Sequence, residues 1–105
     1  GQPINSCLKL AASLAGNDEI VTVEGLEKDP LMKDVQQAFV DEGAVQCGFC
    51  IPGMALSSYH LLQNNPNPDQ HAIKQALSGN ICRCTGYMKI EAAVKKAAEV
   101  RRNRK

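Results

Sequence analysis

The sequence predicts a mainly α protein: a four-helix bundle with both cysteine-bearing loops at one end, preceded by a short β segment. Three observations predict it. From Asp29 onward, apolar residues recur in four separate runs at about the 3.6-residue spacing of a helix. Two close cysteine pairs, Cys47/Cys50 and Cys82/Cys84, each fall between two such runs, so the order helix, cysteine loop, helix occurs twice. Residues 1–26 follow a different pattern, with β-branched residues and turn signals, which sets them apart from residues 27–105.

In the first segment, Ile4 to Leu14 is an apolar, alanine-rich run compatible with strand or helix. Ala15-Gly16-Asn17-Asp18 is a turn signal. Ile20-Val21-Thr22-Val23 is β-branched and reads as a short strand ending at Gly25. Together these read as the last strand or two of a small β-rich unit.

The helices start at Asp29, which can cap, with Pro30 well suited to the first helical position. Leu31, Val35, Ala38 and Phe39 then share one face, and Gly43 stops the helix. After the first cysteine loop, Pro52 opens a second helix with Met54, Leu56 (or Ala55), Tyr59 and Leu62 available for burial. Asn64-Asn65-Pro66-Asn67-Pro68 breaks it. Asp69 caps a third helix running to about Ser78, with Ile73, Ala76 and Leu77 inward, and Gly79-Asn80 ends it. A fourth runs from about Lys89, burying Ile90, Ala93, Val94 and Ala97. The tail Arg101 to Lys105 is polar and reads as a fraying, solvated end. Two such hairpins facing one another form a four-helix bundle.

Composition excludes several classes of function. The chain has 105 residues, enough for one small domain. It contains no Trp, and Phe39, Phe49, Tyr59 and Tyr87 are its aromatic residues, so the core must be aliphatic. The net charge of +1 argues against a nucleic-acid binder. No apolar run reaches membrane-spanning length, and the start of the sequence does not read as a secretory peptide. Paired cysteines without an export signal favour thiolate ligands in a reducing compartment, with the cytoplasm as the default.

Four thiols in two close pairs admit three readings. Disulfides within each pair are disfavoured by the strain of a Cys-x-Cys bridge and by the compartment. A structural zinc site fits four cysteines, but zinc knuckles usually space them more widely than Cys82/Cys84. A [2Fe–2S] cluster needs two thiolates per iron, which Cys47 with Cys50 and Cys82 with Cys84 could supply. Gly48, Gly53 and Gly86 let the backbone approach it, the helix starting at Pro52 points its positive end at the site, and Arg83 adds positive charge.

The stretches Gln46-Cys47-Gly48-Phe49-Cys50-Ile51-Pro52-Gly53-Met54 and Gly79-Asn80-Ile81-Cys82-Arg83-Cys84-Thr85-Gly86-Tyr87 resemble the C-terminal [2Fe–2S] domain of molybdenum hydroxylases. That family includes xanthine dehydrogenases, aldehyde oxidoreductases and carbon monoxide dehydrogenases. The resemblance covers about residues 30–100. It implies a bundle with pseudo-twofold symmetry around a [2Fe–2S] cluster held by Cys47, Cys50, Cys82 and Cys84. It also implies that Gln46 and Cys84 approach a molybdopterin on a large subunit or domain. Electrons would pass from there through this cluster to a second cluster and then to FAD on a medium subunit or domain. The stretches Ile4-Asn5-Ser6-Cys7-Leu8 and Ile20 to Leu26 resemble the end of the family's plant-ferredoxin-like domain. Cys7 then corresponds to the fourth ligand of the second cluster, whose first three ligands are absent from this sequence. By this resemblance the chain is the iron–sulfur component of an oxidoreductase and brings no catalytic residue of its own. A zinc-stabilised helical interaction domain is the alternative.

The remaining residues have plainer readings. His60 and His71, both on expected helices away from the cysteines, read as surface side chains. Met54 reads as core, and Tyr87 as packing over the second cysteine loop.

Overall fold

The computed structural model describes residues 3–4, 10–13, 16, 19–45, 48–81 and 87–104. Four helices carry the fold: α1 (Pro30–Asp41), α2 (Ile51–Asn64), α3 (Gln70–Leu77) and α4 (Met88–Arg104). Each helix packs against the next, and α4 closes the ring on α1, the most extensive pairing in the bundle.

Local chemistry sets the helix boundaries. One carboxylate oxygen of Asp29 accepts from the Leu31 N–H at 2.9 Å, and Pro30 follows at the first position. Asp69 caps α3 in the same way, accepting from the Ala72 N–H at 2.8 Å. The end of α1 is a Schellman turn. Gly43 takes φ +65°, its N–H donates to the Val40 carbonyl, and the Ala44 N–H donates to the Phe39 carbonyl at 2.9 Å. A β-branched or bulky residue at 43 would be strained there.

The core lies on the bundle axis. Met32, Val35 and Phe39 from α1, Met54 and Leu62 from α2, Ile73 from α3, and Ile90 and Val94 from α4 are fully buried. Each such side chain contributes roughly 1.5–3 kcal/mol of transfer free energy. Ala93, Ala97 and Ala98 are also buried, and their small size lets α4 lie close against its neighbours. On α2, Ala55 is buried and Leu56 only partly so. Ser58, wholly buried, donates its hydroxyl to the Met54 carbonyl at 2.7 Å, so its donor is satisfied within the core.

Two expectations are corrected. No strand occurs among the described residues. Instead, two short 3-10 turns precede α1, at Ala11–Ser13 and Val23–Leu26, and Val23 and Leu26 pack against the core. A strand needs a partner for its ladder. Here the backbone satisfies itself locally: the Gly25 N–H donates to the Thr22 carbonyl at 3.0 Å and the Asp29 N–H to the Leu26 carbonyl at 2.9 Å. The basic tail does not fray at Arg101. Helix α4 continues to Arg104. Arg101 donates to the Leu62 carbonyl at 3.2 Å, and Arg102 to the Pro66 carbonyl at 3.2 Å and Asn67 Oδ1 at 2.9 Å. Cations thus sit on carbonyls at and just beyond the C-terminal end of α2, where the dipole favours them.

Asp29 does a second job. Its other carboxylate oxygen accepts from the Tyr59 hydroxyl at 2.7 Å, and Gln63 donates to the same hydroxyl at 2.9 Å. This ties the start of α1 to the middle of α2. Burial, and then the bond to Asp29, push the Tyr59 phenol above its ordinary value of 10.0. The unfolded chain therefore releases this proton first, and the folded state loses stability as the pH rises past 10.0. In urea titrations across that range, the wild type should lose more stability than Tyr59→Phe. Equal losses would show that the phenol does not titrate differently in the two states. At neutral pH, Asp29→Ala should cost about 1 kcal/mol or more, because it removes a cap and the tie to Tyr59 together.

Candidate metal centre

The first cysteine loop enters from the Schellman turn and leaves into α2. Gly48 adopts φ +84°, in the left-handed region that suits glycine. Two residues later Cys50 is half-buried and stands at the N-cap position of α2. The Ile51 N–H donates to the Gly48 carbonyl at 3.4 Å, and the Met54 N–H to the Cys50 carbonyl at 3.0 Å. Cys50 is therefore held at the positive end of the helix dipole, where a thiolate is stabilised over a thiol. That is the environment a metal-ligating sulfur requires. Met54, one turn on, is fully buried in the core, as expected of it.

The second loop leaves α3 through Ser78, Gly79 and Asn80. The Asn80 N–H donates to the Leu77 carbonyl at 3.0 Å. The Asn80 side chain reaches across to α2, where its Nδ2 donates to Ser57 Oγ at 2.8 Å. The start of α4 is fixed by Tyr87, which is half-buried against the core and takes φ +72°. A left-handed aromatic residue costs of order 1 kcal/mol or more, and such strain collects at functional sites. The Tyr87 carbonyl accepts the Glu91 N–H at 2.9 Å, so this strained residue also leads into the helix.

Apolar side chains stand exposed on both loops. Phe49 is 92% exposed, Ile81 84% and Met88 80%. Phe49 and Ile81 stand in the two cysteine loops, and Met88 opens α4.

Of the residues expected at the site, Cys50 is placed by the structure. Cys7, Gln46, Cys47, Cys82 and Cys84 lie outside the described residues, as do Arg83 and Gly86. Among the described residues no three His, Cys, Asp or Glu side chains converge on one point. His71 is exposed and His60 half-buried, with His60 Nε2 3.4 Å from Asn64 Nδ2. Two residues that shape the site carried no chemical signal of their own in the sequence. Asn80 read as a helix stop within the second cysteine stretch, with no partner assigned to it, and Ser57 was not singled out. The glycine at 53 was the visible half of their arrangement.

Comparison with known proteins agrees with this geometry. Residues 22–95 match the family described as "[2Fe-2S] binding domain", and the chain belongs to that family. It is 48% identical over 99 residues to the nicotinate dehydrogenase small FeS subunit of Eubacterium barkeri, covering 94% of this chain and 62% of the relative. It is 47% identical over 94 residues to the nicotine 6-hydroxylase small subunit of Paenarthrobacter nicotinovorans, covering 90% of this chain and 56% of that relative. The chain thus spans less than two thirds of the length of these relatives. Among solved structures, it superposes on the aldehyde oxidoreductase of Desulfovibrio desulfuricans with a TM-score of 0.83 at 35% identity, covering 94% of this chain and 11% of that one.

The backbone at Gly48 gives a test of the loop. Among the described residues an alanine there would meet no atom within 4 Å, so the cost expected of it is conformational. Gly48→Ala should destabilise the loop by roughly 1–2 kcal/mol. Chemical reconstitution with iron and sulfide should then be slower or less complete, while the far-ultraviolet helix signal of the bundle stays unchanged. Reconstitution at the wild-type rate and level would show that the left-handed turn at Gly48 does not matter to the site.

Proposed function

We propose that the chain binds one [2Fe–2S] cluster through Cys47, Cys50, Cys82 and Cys84 and is the electron-transfer component of a molybdopterin-dependent hydroxylase or dehydrogenase. Residues 27–105 form the cluster domain, and residues 1–26 are the end of a ferredoxin-like unit. The observation that carries this reading is the seating of Cys50 at the positive end of α2, with the approach to Cys82 bonded onto the first turns of the same helix. The family match over residues 22–95 and the relative named as the FeS subunit of a dehydrogenase support it.

When bound, the cluster accepts and releases single electrons. The chain's own part is to hold, orient and screen it. The α2 dipole and the glycine-bearing first loop favour an anionic thiolate centre. The closely packed bundle excludes water from one side, which tunes the potential of such a centre. Phe49, Ile81 and Met88 form the apolar surface that meets a molybdopterin-binding large subunit or domain. Gln46 and Cys84 face the pterin there. Electrons leave towards a second cluster and FAD on a medium subunit or domain. Cys7 is the fourth ligand of that second cluster, whose other three ligands are not among these 105 residues. No helix among the described residues is long and apolar enough to cross a membrane, which is compatible with a cytoplasmic location.

Visible spectroscopy on anaerobically purified protein tests this reading. A brown protein whose absorbance bleaches with dithionite is expected. A colourless protein with stoichiometric zinc would replace it with a zinc-stabilised interaction domain. Cys82→Ser should abolish or badly impair cluster assembly, and undiminished iron loading would remove Cys82 from the ligand set. Cys7→Ser should leave the cluster of the helical domain intact, and its loss would mean that the four ligands are wrongly chosen.

A further inference from the structure

Glycine is a poor helix former, yet Gly53 sits in the first turn of α2. Its φ is not in the left-handed region, so no backbone conformation demands it. Space does. A Cβ built at position 53 would lie 2.6 Å from Asn80 Oδ1 and 3.6 Å from Asn80 Cγ. Real Cβ atoms do not approach an oxygen so closely. An added Cβ would therefore push the Asn80 amide oxygen out of its present place. The other end of that amide is fixed, since Nδ2 donates to Ser57 Oγ at 2.8 Å in a part-buried setting. Gly53 and Ser57 are four residues apart and share one face of the helix. One side chain from the second loop therefore spans a full turn of the helix that begins at the first loop.

The sequence positions give this contact its meaning. Gly53 lies three residues after Cys50, and Asn80 lies two residues before Cys82. The two cysteine pairs come from different hairpins, and a cluster needs both within bonding reach of it. A loop that is displaced carries its thiolates with it.

We infer that Asn80, seated against Gly53 and bonded to Ser57, is a positioning residue that sets the second cysteine pair in register with the first. This rests on the cluster reading given above. In this reading Asn80 and Gly53 are not ligands. They act through the backbone that leads to Cys82 and away from Cys50, as outer residues act on metal ligands generally.

Substitution at position 53 separates positioning from folding, because the two effects have opposite signs. Gly53→Ala improves intrinsic helix propensity, so the helicity of the metal-free chain should hold or rise. Its methyl group, however, displaces Asn80. Iron and acid-labile sulfide retained after anaerobic reconstitution should fall roughly tenfold at limiting iron. The electron paramagnetic resonance of whatever cluster remains should differ in its g-values from the wild type. Asn80→Ala should lower loading to a similar extent, and the double variant Gly53→Ala/Asn80→Ala should load no worse than either single one, because all three remove the same contact. A Gly53→Ala chain with wild-type loading and g-values would overturn the inference, as would an Asn80→Ala chain that loads as the wild type does. Failure of the wild-type chain to take up iron and sulfide would instead defeat the cluster reading itself.

Discussion

The approaches to the two cysteine loops meet at the first turns of α2, and the candidate site depends on that meeting. Cys50 ends the first cysteine loop at the N-terminus of the helix, and Asn80 brings the second loop down onto the same turns. Two short-range rules conflict there. Helix propensity disfavours glycine at 53, whereas the asparagine oxygen lies where an added Cβ would crowd it. The close approach prevails. Local rules give way in this manner where a site needs a geometry that secondary structure alone would not choose.

Around this point the bundle is braced at both ends. At one, Asp29 caps α1 and accepts from Tyr59 on α2. At the other, Arg101 and Arg102 of α4 bond the carbonyls of Leu62 and Pro66, which closes the break between α2 and α3. The aliphatic core between them is small, as it must be in a chain of 105 residues. By contrast, the exposed ion pair of Lys96 with Asp41, at 3.3 Å, contributes little beyond orienting two helices. Stability is thus concentrated in the core and the braces, and the cysteine loops can be shaped by other demands. The left-handed Gly48 and Tyr87 are instances of those demands.

Whatever depends on residues near in sequence was legible beforehand. Asp29, Pro30, Gly43 and Asp69 fixed the starts of α1 and α3 and the stop of α1, because caps act within a few residues. The inward faces followed from periodicity, except that Ala76 is only half-buried and α1 buries Met32 as well as Leu31. That helix packs against both α2 and α4, so its apolar arc is wider than one stripe. Features made by distant residues were not legible. The β-branched run before α1 favours a strand in isolation, but no ladder partner is described for it; residues 20–22 are irregular and Val23 opens a 3-10 turn. The basic tail looks solvated until α2 offers it carbonyl groups. At the site, the cysteine spacing pointed to a metal centre and the family resemblance to a cluster, while the bond from Asn80 to Ser57 spans 23 residues and had no local signature.

The central claim is that one centre joins the two hairpins through both loops at once. Hydrogen exchange read by mass spectrometry, comparing the iron–sulfide-reconstituted chain with its metal-free form, tests this most directly. Joint protection of amides in residues 48–54 and 81–91 is predicted on reconstitution, with the α1–α4 core little changed. Protection confined to one of the two loops would contradict it.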